Sequence, residues 1–527
     1  MGYTDEQVVI AFDVGTQSTR ASLINNRGEI LHLSQQKHEP AYFSLQPDWA
    51  EQDPDFYYDK IVAAANELKV KAGAKLWSGI IGAAITTMRD TPVLLDRNRR
   101  PLRPAFVWLD RRRASAEPDL PLPKKLLFRI AGMREVIKQQ FQFTPCNWVR
   151  EHEPEIWERT DKYVFLSTYL IYRLTGELRD SVSGLTGHVP FDHRRSDWMG
   201  PHNLIRFIFD IEREKLCDFV PAGTVLGTIT REAADQTGLK QGLPLYASGA
   251  DKACEILGLG CIEADKAAIS FGTSATIAFT TDRYRTPERF VPSYSAVMPG
   301  FYNPEIQIYR GYWLLSWFIR EFATAETIQA EELGISTEEL LNSTLERIPA
   351  GCDGLFFQPY FTPNITRPYA RGSVIGFSDT HTHSHVYRSI IEGINFALIS
   401  AKNIMEKRVK TKINSLYLGG GGSRSSEICQ ITADMFGLPT YRSITNEVAG
   451  IGSAIAAFVG LGVFSDYAEG AQHMVHIRDE FWPDSRQHQI YREIFEDIFS
   501  DIYKRLASLY KKHSKNSARR NIRAHYD

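Results

Sequence analysis

Ala267-Ala-Ile-Ser-Phe-Gly-Thr-Ser-Ala-Thr-Ile-Ala-Phe279 reads as an apolar strand, a tight turn and a second apolar strand. Ile269, Phe271, Ile277 and Phe279 are β-formers, and they flank Gly272-Thr273-Ser274. A glycine at such a turn lets backbone come close to a ligand, and the hydroxyls beside it can donate to phosphate oxygens. A second copy stands near the N-terminus, Val8-Val-Ile-Ala-Phe-Asp-Val-Gly-Thr-Gln-Ser-Thr-Arg-Ala-Ser-Leu-Ile24. There the strand runs into Gly15-Thr16-Gln17-Ser18 and out again. Either hairpin alone is a weak signal; the repetition carries the weight. Two phosphate-binding hairpins, each opening one half of the chain, imply a duplicated domain with a nucleotide clamped between the copies.

The length of 527 residues exceeds one hydrophobic core and implies two large domains. Hydrophobic content of 43%, charged content of 24% and a net charge of -2 are those of an ordinary globular protein. No global basic field speaks for nucleic acid. Six cysteines, at 146, 217, 254, 261, 352 and 429, form no CxxC pair, which fits buried thiols in a reducing compartment. Met1-Gly-Tyr-Thr-Asp-Glu is polar, without the basic and apolar regions of a signal peptide, and no apolar run has the length of a membrane span. The expected setting is cytoplasmic, without a membrane partner.

Outward from the first hairpin, residues 8–36 read as a β-meander with a turn at Asn26-Arg27-Gly28. Asp13 closes the first strand, beside the glycine turn. A carboxylate there can hold Mg²⁺ through water, because Mg²⁺ takes few protein ligands; the alternative is a turn cap. The loop Pro47-Asp-Trp-Ala-Glu-Gln-Asp-Pro54 holds Trp49 and Glu51. A flat aromatic face beside polar atoms suits a polyhydroxylated ligand, while Asp53-Pro54 caps a helix over 56–69. Ile80–Thr86 reads as a strand that delivers Met88-Arg89-Asp90 into a loop, where donors and acceptors sit side by side for hydroxyls or form a surface ion pair. The arginines of Asp110-Arg-Arg-Arg113 read as a solvated helix start, 115–125 as a Pro-rich loop, and Tyr163–Leu174 as a helix.

Leu243-Pro-Leu-Tyr-Ala-Ser-Gly-Ala-Asp251 is a short strand running into a helix start. A carboxylate facing the positive helix end stays ionised. Aimed at a substrate hydroxyl, Asp251 is a general base for phosphoryl transfer; otherwise it is an N-cap. His381, His383 and His385 alternate on a loop without fixing carboxylates, a poor metal site. Leu416-Tyr-Leu-Gly-Gly-Gly-Gly-Ser423 is a strand opening into a glycine turn, where bare backbone at Gly420, Gly421, Gly422 and Ser423 can lie flat against an adenine ring or serve as a flexible turn. An Ala/Gly-rich helix follows over 446–460, and the chain beyond about Lys511 reads as a polar, frayed tail.

Taken in order, these stretches resemble the FGGY family of carbohydrate kinases, within the actin-like ATPase superfamily. Asp13-x-Gly15-Thr16-x-Ser18 is similar to the family's first phosphate motif, Gly249-Ala250-Asp251 to the turn with its catalytic aspartate, and Ser270-Phe-Gly-Thr-Ser274 to its second phosphate motif. Gly372-Ser-Val-Ile-Gly376 with His385–Glu392 resembles its C-terminal signature, and Gly419–Ser423 its adenosine loop. The resemblance implies an α/β fold of two ribonuclease-H-like domains with a nucleotide cleft between them. It places an N-terminal, sugar-binding domain over 5–256, a C-terminal, ATP-binding domain over 257–511 and a polar tail over 512–527. It also implies ATP and Mg²⁺ as cofactors and a small sugar or polyol as partner, with a homodimer possible in the family. Asp251 would take the proton of the accepting hydroxyl. Asp13 would help place Mg²⁺, and Gly15, Thr16, Gln17, Ser18, Gly272, Thr273 and Ser274 would cradle phosphates. Trp49, Glu51, Met88, Arg89 and Asp90 would line the sugar.

Two departures bear on the acceptor. Pro145 stands where the family's N-terminal signature has a lysine shortly before its tryptophan, here Trp148. Arg89-Asp90 is nearer the Arg-Glu of glycerol kinases than the Met-His of xylulose kinases, whereas Trp49-Ala-Glu-Gln-Asp-Pro54 is nearer the pentulose kinases. The expected reaction is ATP-dependent phosphorylation of a small carbohydrate, a ketopentose such as xylulose or ribulose first. Glycerol or another polyol is the alternative acceptor. A non-catalytic, sugar-responsive regulator of the same fold is the alternative class.

Overall fold

The computed structural model describes residues 7–116, 120, 122–130, 134–201, 203–288, 291–364 and 366–524. The polar lead-in Met1–Glu6 and residues 117–119 and 121 of the Pro-rich stretch lie outside them. The chain forms two compact units.

In the first unit, strands β1 (Val8–Val14), β2 (Ser18–Asn25) and β3 (Ile30–Lys37) form an antiparallel meander. β4 (Ile80–Thr87) lies parallel to β1 on its other side. β5 (Val225–Thr228) and β6 (Pro244–Tyr246) complete the sheet in the order β5-β6-β4-β1-β2-β3. Val8, Val9, Ile10, Ala11 and Phe12 are all buried, as a run apolar on both faces requires when both faces are covered. Helix α1 (Pro54–Ser78) covers β2 and β3. Its buried residues Tyr57, Tyr58, Ile61, Ala64, Ala65 and Leu68 recur at helical spacing, and the Asp53 side chain accepts from Asp55 N, as expected of the cap. Helix α2 (Asp251–Gly258) leaves the end of β6.

The second unit repeats the plan. β7 (Lys266–Phe271), β8 (Ala275–Phe279) and β9 (Glu305–Ile308) form its meander, and α3 (His383–Val409) packs against β8 and β9. β10 (Ser415–Gly419) lies parallel to β7. After α4 (Ser426–Phe436), β11 (Thr440–Ser443) and β12 (Ile477–Phe481) give the order β9-β8-β7-β10-β11-β12. The two meanders and their parallel neighbours match strand for strand.

The division differs from the expected one. The first unit runs to Gly260 and also takes Tyr294–Tyr302 and Glu447–Val475, from the half read as purely C-terminal. The reason is packing: α5 (Val448–Gly460) covers β1 and β4, and it crosses α2 where side chains would not fit. A Cβ on Gly452 would lie 1.9 Å from Cys254 O, and one on Gly258 would lie 1.8 Å from Val448 O.

Smaller corrections follow from pairing. Tyr163 does not open a helix: Lys162–Phe165 is a strand antiparallel to Pro92–Leu95, and the helix spans Leu166–Thr175. The Pro-rich loop yields to a helix at Leu122–Ile130. The tail expected to fray is helical over Ser500–Ala524, where Ala, Lys and Arg sustain a helix. All six cysteines are buried, and no two of them form a disulfide. Among the described residues no helix is long and apolar enough to cross a membrane.

Candidate active site

In the first unit the hairpin turn between β1 and β2 is closed by Gly15 N donating to Ser18 O at 3.0 Å. His38 braces it from behind, with Nδ1 3.1 Å from Thr16 O and Nε2 2.9 Å from Thr19 Oγ1. The indole N–H of Trp108 donates to Thr16 Oγ1 at 2.8 Å, so that hydroxyl's orientation is set. Gln17 is exposed at the tip, and the side chain of Ser18 is buried, where it accepts from Gln35 Nε2. Met88 N donates to Val14 O, which ties the Met88–Asp90 loop to the end of β1.

Asp13 and Asp251 come together at the ends of β1 and β6. Asp251 is the first residue of α2 and not its cap, which is Ala250; its Oδ1 accepts from Lys252 N at 2.8 Å. Arg89 Nε stands 3.9 Å from Asp251 Oδ1. The Asp251 side chain keeps 31% of its surface, which leaves it reachable. Burial nevertheless raises its pKa above the usual carboxylate value, against the pull of Arg89 and Lys252. Burial therefore outweighs the favourable helix end, and the carboxylate is a stronger base than a free aspartate.

Asp13 is further perturbed. Burial pushes its carboxyl up to about 7; Arg20 opposes the rise, and the charges of Glu447 and Asp251 add to it. Arg20 is shared, with Nη1 3.4 Å from Asp13 Oδ2 and Nε 3.3 Å from Glu447 Oε2. Three carboxylates thus crowd one place. They form no closed metal cage: among the described residues no three His, Cys, Asp or Glu side chains do. Hard oxygen donors gathered in one place, too few for a cage, fit Mg²⁺, which keeps most of its waters.

The other expected sugar-binding residues are more committed. Asp90 sits at φ +53°, accepts from His188 N at 2.9 Å and pairs with His188 Nδ1 at 2.6 Å. Its carboxylate is taken by the imidazole and is not left open beside Arg89. Glu51 is 3% exposed and ion-paired with Arg103 and Arg112. Arg112 also binds Asp110 at 2.7 Å and lies over the rings of Trp49 (3.8 Å), Phe106 (4.5 Å) and Trp148 (4.7 Å). Trp49 and Glu51 therefore build one face of a buried arginine box, and Arg112 is no solvated helix start. A buried guanidinium needs paired charge and aromatic faces, and these residues provide both.

In the second unit, Gly272 N donates to Ser274 O at 3.1 Å, and Gly311 N and Tyr312 N donate to Thr273 O and Gly272 O. Thr273 is exposed and Ser274 buried. The glycine loop lies beside this turn. Gly420 has φ +81°, and a Cβ there would lie 2.7 Å from the Phe271 backbone; one on Gly422 would lie 2.3 Å from the Tyr312 ring. Two of the glycines are thus required by internal packing, while Gly421 faces open space. Ser423 is buried, its hydroxyl donating to Gly420 O. The three histidines have separate polar partners: His381 meets Cys352 O, His383 meets Glu326, and His385 meets Asp353.

Sequence reading missed His188, Trp108, Arg20 and Glu447. Each lies far along the chain from its partner or in a stretch without a motif. Only the hairpin register, which sets Arg20 directly opposite Asp13 and on the same face, could have flagged one of them.

Comparison with known proteins agrees with this arrangement. Residues 8–258 match the N-terminal domain, and residues 267–461 the C-terminal domain, of the FGGY family of carbohydrate kinases. The uncharacterized sugar kinase YgcE of Escherichia coli (strain K12) is 29% identical over 485 residues, 91% of this chain and 89% of that protein. The xylulose kinase of Lactococcus lactis subsp. lactis (strain IL1403) is 26% identical, over 92% of this chain and 94% of that protein. The ligand-bound xylulose kinase from Lactobacillus acidophilus shares the fold with a TM-score of 0.81 at 21% identity, covering 96% of this chain and 100% of that one. The chain belongs to the FGGY family of carbohydrate kinases, and it is a phosphotransferase of two ribonuclease-H-like units that uses ATP to phosphorylate a small sugar.

Proposed function

We propose that the acceptor is a small ketose, a ketopentose such as xylulose or ribulose first, and that Asp251 is the general base. The observation that carries the base assignment is the meeting of Asp251 with Arg89 and Asp13 at the strand ends, with the Asp251 carboxylate reachable and its basicity raised by burial. Xylulose kinases recur among the relatives, which supports the acceptor class.

In this reading the acceptor hydroxyl gives its proton to Asp251 as its oxygen bonds to the γ-phosphorus. The bond from that phosphorus to the β–γ bridging oxygen breaks, and ADP leaves with the bond's electron pair. Arg89 orients the carboxylate and offers donors to a neighbouring hydroxyl. The turn tips at Thr16-Gln17 and Thr273 hold phosphate oxygens, Gly421 lies against the nucleoside, and Asp13 with Glu447 would hold Mg²⁺ through water. When bound, the cation supplies neutralisation of phosphate charge. The arginine box of Trp49, Glu51 and Arg112 holds the wall of the sugar site in shape.

The test is ADP release across D- and L-pentuloses, erythritol and glycerol, repeated with Asp251→Asn. Strong stimulation by one pentulose, and a loss of about 10²–10⁴-fold in kcat in the variant with ATP and sugar binding kept in calorimetry, is the expected result. Preference for glycerol would replace the acceptor. Turnover largely retained in Asp251→Asn would remove the base.

A further inference from the structure

The second unit holds a cavity of about 350 Å³ that no step of phosphoryl transfer uses. Its walls are one face of α3, the strand Phe356–Gln358, the segment around Arg367 and the start of the helix Ser500–Ala524. Among the described residues, one buried donor on this wall has no partner, and three charged side chains line it without an ion pair. Gln358 is 0% exposed; its Oε1 accepts from Ser373 Oγ at 3.3 Å and Tyr510 OH at 3.4 Å, and its Nε2 has no acceptor. A buried amide donor without a partner is costly. Arg367 lies over the rings of Tyr360, at 4.4 Å, and Tyr503, at 5.6 Å. Arg408 stands on α3 one turn beyond Ile404. Among the described residues neither guanidinium has a carboxylate within ion-pair distance. Glu288, 9% exposed, also lines the cavity; it feels both arginines without touching either, and burial raises its pKa.

We propose that this cavity binds a small phosphate-bearing anion, held by Arg367, Arg408 and the Gln358 amide, with its carbon frame against the two tyrosine rings. The donors outnumber the acceptors, and they are held apart around an empty centre instead of pairing with each other. Guanidinium and amide donors lining one space match the oxygens of a phosphate, and two guanidiniums match its double charge. Glu288 is the group that argues against an anion if ionised. Burial raises its pKa, and the two arginines that it faces offset its charge. The volume lies at the lower end of the range for small-molecule sites. The proposal concerns the second unit alone and stands whichever sugar the kinase accepts.

The test is calorimetric titration of the full chain with inorganic phosphate and with phenyl phosphate, in saturating Mg-ADP so that the nucleotide's own phosphate contacts are filled. One saturable site is expected for each probe, with phenyl phosphate the tighter. Arg408→Gln changes an exposed residue that the fold does not need, and it should weaken binding about tenfold or more, as should Arg367→Gln. Glu288→Gln should bind as well as the parent or better. Absence of saturable binding by both probes, binding undiminished in the Arg367→Gln/Arg408→Gln double variant, or binding lost in Glu288→Gln but kept in Arg408→Gln would each overturn the proposal.

Discussion

Asp13→Asn in nucleotide-free, metal-free protein should stabilise the first unit at alkaline pH. The folded chain holds the Asp13 carboxyl at about 7, against an ordinary 3.8. Ionising it in place is therefore harder than in the unfolded chain by about 4 kcal/mol, at about 1.4 kcal/mol for each tenfold in proton affinity. The sign follows from proton counts. Between 3.8 and about 7 the folded protein keeps a proton that the unfolded chain has lost, so stability falls as pH rises through that window. It is fully present below the lower value and gone above the upper one. Asparagine cannot ionise, so the variant escapes the loss. Arg20 stays anchored by Glu447, which limits the cost of removing its weak 3.4 Å contact. Paired urea unfolding in chelator should show the variant gaining on the parent by about 2–3 kcal/mol between about pH 5 and pH 8. Added Mg²⁺ at the upper pH should then stabilise the parent and leave the variant nearly unmoved. A gap that stays flat or closes as pH rises would refute the reasoning, because burial and the charges of Glu447 and Asp251 would then not govern Asp13. A gap that widens while Mg²⁺ acts equally on both proteins would keep the electrostatics and remove the cation from Asp13.

Gly452→Ala should lower stability by about 1–3 kcal/mol, read as a drop in Tm, because its methyl meets the Cys254 carbonyl at 1.9 Å and α2 and α5 must part. Glu51→Gln should cost about 3 kcal/mol or more in chemical denaturation, since it leaves Arg103 and Arg112 short of a buried counter-charge; a neutral result would show that Asp110 on Arg112 and Glu153, 2.9 Å from Arg103, suffice. His188→Gln should raise the sugar KM several-fold with kcat largely kept, by freeing the Asp90 carboxylate and its loop. Burial lowers the pKa of His188, but the Asp90 charge more than offsets this and the net direction is up. The pair's contribution to stability is therefore complete between the ordinary carboxylate value of 3.8 and the imidazole's 6.5, and it is lost as pH rises through the folded His188 value, a dependence His188→Gln should abolish in thermal melts.

Much of the fold was legible because strand–turn–strand hairpins are local. Val8–Ile24 and Ala267–Phe279 each carry their own turn, their own alternation and their own glycine, so the duplication shows in one dimension. Asp251 was legible for a related reason: a short strand, a small-residue turn and a helix start bring it to a strand end by local geometry. The Trp49–Glu51 loop was legible as important and not as what it does. A tryptophan beside a carboxylate has the same composition whether it faces a sugar or a guanidinium. Arg112, about sixty residues on, decides between them.

What the amino-acid order determined by itself is the pair of meanders, their two Gly-Thr turns and the place of Asp251 at a helix start, since each depends on contacts between residues close in the chain. Only the tertiary structure decided which carboxylates meet. Asp90 goes to His188, Asp13 shares Arg20 with Glu447, and Val448–Gly460 crosses back to cover the first sheet. These outcomes depend on which buried charge finds a counter-charge and which helix is small enough to approach another. Pairings of that kind, between residues about a hundred to several hundred positions apart, leave no periodic trace in the sequence because they are set by packing in three dimensions.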